Sequence, residues 1–150
     1  MKAALVFFLF LVAGNSFSQD GTVTWIQHAD STEFKLFYHK KHLPKAFYRV
    51  DGITPKKLAN AKDDYTPGCT NPVRGQLNWI AKHDEKWVIC LTKGSSAVMT
   101  IVYCLDNSTG KLKTYSTTGP VSREITFGEF LSLLKSGQRK LEELDPADFN

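Results

Sequence analysis

The sequence predicts an α+β fold: an antiparallel β-meander of about six or seven strands with a C-terminal helix packed on one face. Three observations carry this. Between Gln76 and Thr118, runs rich in β-branched and aromatic residues alternate with short polar turns, the pattern of consecutive hairpins. The middle two runs are apolar on both faces, so both faces of the sheet are covered. Thr126-Phe-Gly-Glu129 then reads as a capping box opening a helix. A closed lipocalin-like β-barrel with a terminal helix has a similar order of elements. The stretch from Lys40 to Asp64 is too irregular for a continuous barrel wall.

Taken in order, Val23 to His28 and Glu33 to Tyr38 read as strands around a turn at Asp30-Ser31-Thr32. Phe47 to Val50 reads as a short strand stopped by Asp51-Gly52. Thr54 resembles an N-cap with Pro55 at the first helical position, so a short helix is expected over 55–62. Asp63 to Gly75 holds two Pro and two Gly and reads as a loop. The meander strands are Gln76 to Lys82, Lys86 to Lys93, Ala97 to Leu105 and Lys111 to Thr117. In the C-terminal helix, Phe127, Phe130, Leu131 and Leu134 fall on one face and Gly137 suits the exit. A further turn is expected through Leu141 and Leu144.

Residues 1–18 have the layout of a cleaved secretory signal peptide. Lys2 supplies the positive charge, Ala3 to Gly14 is a 12-residue apolar run, and Ser16 and Ser18 suit the peptidase. The run is too short to cross a bilayer, so no transmembrane anchor is expected. The mature product would be one secreted domain from Gln19 to Asn150, extracellular or periplasmic. Export favours disulfides. The odd count of three cysteines means one bridge plus a free thiol, an intermolecular bridge, or no bridge, and the loop position of Cys69 favours a Cys69–Cys90 bridge over one from Cys69 to Cys104. Cys90 and Cys104 read as about four residues out of register in their hairpin, too far for a bridge.

Charge placement is the most unusual feature. The whole chain is +4, yet Lys35 to Lys62 carries eight bases against Asp51 alone, net +7 in 28 residues. The bases are Lys35, Lys40, Lys41, Lys45, Arg49, Lys56, Lys57 and Lys62, with His39 and His42 among them. Such a surface attracts an acidic protein, a polysaccharide or another polyanion. The competing reading is a solvated face balanced by acids such as Glu142, Glu143, Asp145 and Asp148.

No metal-ligand spacing, metalloprotease helix, nucleophile elbow, phosphate loop or dinucleotide turn is present, so no cofactor is expected. A His39/His42 pair on a strand would point to opposite faces. A non-enzymatic binding protein is therefore the first expectation. A carrier of a small apolar ligand lined by Trp and Phe is the second. A small hydrolase or nuclease using His39 or His42 is the third. Asn107-Ser-Thr109 is a glycosylation sequon in a turn, relevant in a eukaryotic secretory pathway.

Overall fold

The computed structural model describes residues 25–66, 72–94, 98–120 and 125–145. The expected signal peptide and Cys69 lie outside the described residues. Four long antiparallel strands pair consecutively: β3 (Gly75–His83), β4 (Lys86–Gly94), β5 (Val98–Asp106) and β6 (Lys113–Pro120). Short strands finish both edges. β1 (Lys35–Phe37) runs antiparallel and β2 (Leu58–Ala59) parallel along the outer edge of β3, and β7 (Glu142–Glu143) pairs with β6. The seven-stranded sheet is open, with strand order β1-β3-β4-β5-β6-β7. The meander is as expected and the barrel is not formed.

Strand alternation sorts the buried side chains into two cores. On one face, Trp79, Ala81, Val88, Cys90, Val102, Cys104 and Tyr115 meet helix α2 (Phe127–Lys135) through Phe127, Phe130, Leu131 and Leu134. Thr126 and Glu129 form the expected capping box, and Gly137 follows with φ 71°, which suits the residue closing a helix. On the other face, Leu77, Ile80, Ile89, Leu91, Tyr103 and Leu105 are covered by Leu43, Phe47, Val50, Ile53 and Leu58. Residues 35–62 thus contribute β1 and β2 to the edge of β3 and cover the face away from α2. Leu43, Phe47, Val50, Ile53 and Leu58 point in, whereas Leu36 and Tyr38 of the same segment stay exposed.

Several local expectations are corrected. Residues 25–27 are helical rather than extended. Residues 47–50 belong to helix α1 (Lys45–Asp51), not a strand. Its buried residues Phe47 and Val50 are three apart, a helical spacing, and Gly52 ends it with φ 67°. The helix expected over 55–62 shrinks to a 3-10 turn, Pro55–Lys57, before β2. The turn expected after α2 is replaced by β7.

Candidate functional site

The basic layer is built from the inside outward. Leu43, Phe47, Val50, Ile53 and Leu58 anchor it to the sheet, which leaves the intervening Lys and Arg side chains on the outside. Lys35, Lys41, Lys45, Arg49, Lys56, Lys57 and Lys62 are all exposed. Among the described residues, none of these seven lies within salt-bridge distance of a carboxylate.

The acid counted against them is not on that surface. The Asp51 side chain is 0 % exposed. It pairs with Lys93 of β4, and its Oδ1 accepts a 2.6 Å hydrogen bond from the Tyr103 hydroxyl of β5. Asp51 Oδ2 is buried without a hydrogen-bond partner. Burial, followed by the neighbouring Asp51 charge and hydrogen bond, pushes the Tyr103 hydroxyl pKa far up. It stays a neutral donor. The segment's single carboxylate is therefore turned into the protein and neutralised by a lysine from outside the segment.

Two sequence-selected cations leave the face. Lys40 is half-buried, and its Nζ donates to the carbonyls of Pro55 at 2.9 Å and Leu58 at 2.6 Å. Its backbone N–H donates to Asn60 Oδ1 at 3.0 Å, so Lys40 ties the layer together internally. Lys62 stands at a cleft on the opposite, α2 side of the sheet. Six exposed cations remain on the layer: Lys35, Lys41, Lys45, Arg49, Lys56 and Lys57.

The histidines take local roles. His39 caps a 3-10 turn, Lys40–His42, with Nδ1 accepting the Lys41 N–H at 3.1 Å. This turn replaces the strand geometry assumed for the pair. His42 stacks on Phe37 at 4.3 Å, and Lys35 Nζ lies 5.5 Å from the same ring. Desolvation first, then the charges of Lys41, His39 and Lys35, holds the His42 pKa below the ordinary imidazole value. Among the described residues, neither His39 nor His42 is within salt-bridge distance of a carboxylate, and no group of three or more His, Cys, Asp or Glu is placed to share a metal.

Folding adds two cations that no local spacing connects to the segment. Lys113 at the start of β6 and Lys111 in the turn before it line a cleft of about 710 Å³ together with Arg49 of α1. Ala46 and Val50 of α1 form one apolar wall, and Leu112 and Leu144 the other. Leu144 is held there by its N–H, which donates to the Thr114 carbonyl at 2.9 Å. Glu143 is the one carboxylate lining this cleft.

The second cleft, of about 680 Å³, lies between β1, β3 and the start of α2. Leu36, Tyr38, Trp79, Ile125 and Phe127 line it, with Asn78 and Lys62 as polar neighbours. Leu36 and Tyr38 are exposed although large and apolar. Its one Trp and one Phe, Trp79 and Phe127, are buried members of the α2-side core.

Cys90 and Cys104 are free and buried on the α2 face. Burial pushes the Cys90 thiol up to about 12 and raises Cys104 as well, so both remain protonated. The Cys90 thiol accepts a 3.4 Å contact from Asn78 Nδ2, and the partner expected for it, Cys69, lies outside the described residues. The hairpin register also differs from the expected offset: Cys90 faces Val102 and Cys104 faces Val88, a displacement of two residues rather than four. Asn107 stands half-buried at the start of the β5–β6 turn, with Ser108 and Thr109 exposed beside it. Its N–H donates to the Glu85 carbonyl at 3.0 Å. Among the described residues, no helix is long and apolar enough to cross a membrane. No family model, curated protein or solved structure matches the chain.

Proposed function

We propose that the chain is an exported, non-enzymatic binding protein whose basic layer docks an acidic macromolecule. The observation that carries this is the inward turn of Asp51. With its carboxylate buried at 0 % exposure and paired to Lys93, no acid from residues 35–62 is left on the surface. A merely solvated face gains nothing from that arrangement, because an exposed carboxylate among lysines would relieve their repulsion. A polyanion gains directly, since it meets cations for which no carboxylate of the same segment competes.

The test is binding of the purified protein to heparin, duplex DNA and polyglutamate across a salt series. The variant is Lys41→Glu, Lys45→Glu, Lys56→Glu and Lys57→Glu together. Lys40 is spared because its Nζ holds two backbone carbonyls. For DNA, loss of four phosphate contacts flattens the slope of log K against log salt by about 3 to 4. The affinity of the unaltered protein rises as pH falls below the ordinary imidazole value. The reason is that the depressed His42 takes up a proton when a bound anion offsets its positive neighbours. Binding that survives about 0.15 M salt and is lost in the variant supports the reading. Binding indifferent to those four residues overturns it.

A second reading is favoured by the cleft holding exposed Leu36 and Tyr38 beside Trp79: a carrier of a small apolar ligand. Its volume of about 680 Å³ lies within the range of small-molecule sites. The test uses 8-anilinonaphthalene-1-sulfonate, whose fluorescence rises on entering an apolar site. Enhancement by the native protein that is lost in Leu36→Asp supports a carrier. No enhancement, or enhancement unchanged in that variant, removes the reading.

A further inference from the structure

The cleft between α1, β6 and β7 separates two kinds of acidic partner. A sulfated polysaccharide or a nucleic-acid backbone offers anions on a polar scaffold, and needs a flat or grooved field of cations. This cleft combines cations with an apolar interior. Arg49 and Lys111 are exposed at it, and neither is within salt-bridge distance of a carboxylate among the described residues. Ala46, Val50, Leu112 and Leu144 line the same cleft. Ala46, Leu112 and Leu144 are only partly buried against the core beneath. They still expose apolar area that a ligand would cover. Lys113 adds to the positive side and Glu143 opposes it, so the lining has three bases and one acid.

We infer that the cleft receives an acidic segment of a partner protein, with one large apolar side chain seated between Val50 and Leu112 and flanking carboxylates against Arg49 and Lys111. This rests on the reading of the basic layer as the docking surface, and it names the partner class. An apolar anchor in a pocket with a charged rim is how protein interfaces concentrate affinity. Arg49 belongs to both features: it is part of the exposed basic layer and also lines the cleft. A peptide anchored in the cleft therefore continues onto Lys45, one helical turn earlier on α1.

The volume of about 710 Å³ accommodates an aromatic side chain with part of its backbone. The cleft is open on the solvent side, so binding needs no rearrangement of the core. Specificity follows from the pairing of the two features. An acidic peptide without an apolar side chain leaves the walls wet, and an apolar peptide without acids leaves Arg49 and Lys111 facing it uncompensated.

The experiment uses the purified protein and two fluorescein-labelled peptides: six glutamates flanking a central phenylalanine, and the same peptide with alanine at the centre. Heparin is measured in parallel. The expected result is a preference of roughly tenfold or more for the phenylalanine peptide, the scale of burying most of that side chain. Leu112→Ala and, independently, Leu144→Ala abolish the preference but leave heparin binding unchanged. Equal affinity for the two peptides overturns the inference. If heparin binding then still depends on Lys41 and Lys45, the docking reading stands without the cleft. If neither heparin nor either peptide binds at about 0.15 M salt, both readings fall.

Discussion

Asp51 and Lys93 are 42 residues apart in sequence and meet in a site where the carboxylate has no contact with water. A buried pair of this kind is held by mutual dependence more than by net attraction. The Asp51 carboxylate was fully dehydrated to form it while the Lys93 side chain stays 22 % exposed, so removing the lysine leaves a buried charge uncompensated. Tyr103 supplies a hydrogen bond to the same oxygen but no charge. Lys93→Met is therefore expected to cost about 3–5 kcal/mol. Tyr103→Phe is expected to cost less, about 1.5–3 kcal/mol, because the ion pair survives it. Urea unfolding of the two variants checks the order. A loss in Lys93→Met no greater than that in Tyr103→Phe would show that the pair is dispensable. At this scale the sequence was partly misleading. Asp51 reads as one of the segment's surface charges, and only the fold reveals that it faces inward. Lys40 is the complementary case, a lysine that looks like a ligand contact but holds Pro55 and Leu58 in place.

Elements were legible where their pattern was long. Each of the strands β3 to β6 has eight or nine residues and is bounded by turn chemistry, and each lies close to its expected position. Helix α2 was fixed by its capping box and by four apolar residues on one face. Short segments were misread for a shared reason. Residues 25–27 and 47–50 are rich in aromatic and β-branched types, which favour strands in general. Their buried residues are spaced for a helix: Ile26 with Ala29, and Phe47 with Val50. One apolar pair is too little signal in a sequence, but packing against a sheet face is enough to select the helical turn. The helix expected over 55–62 fails for another reason. Leu58 and Ala59 are consecutive and both buried, and they pair with Gly75 and Gln76 instead. Lys40 takes two of the carbonyls a helix would have used. The candidate site was half visible. The basic run could be counted, whereas Lys111 and Lys113 join Arg49 only because β6 returns beside α1.

At the scale of the whole molecule, the sheet stands between the basic layer and helix α2, and every buried strand residue faces one side or the other. Among the described residues, no buried apolar side chain belongs to both cores. Free-energy changes made on opposite sides should consequently add, as they do for sites without shared partners. The pair Val50→Ala under the basic layer and Leu134→Ala under α2 is expected to sum to within about 0.5 kcal/mol in a double-mutant cycle. A coupling above about 1 kcal/mol would mean that strain crosses the sheet. Additivity gives the molecule separable tasks. The basic layer can change its residues and lose stability in doing so, and better packing beneath α2 can restore the total without touching that layer.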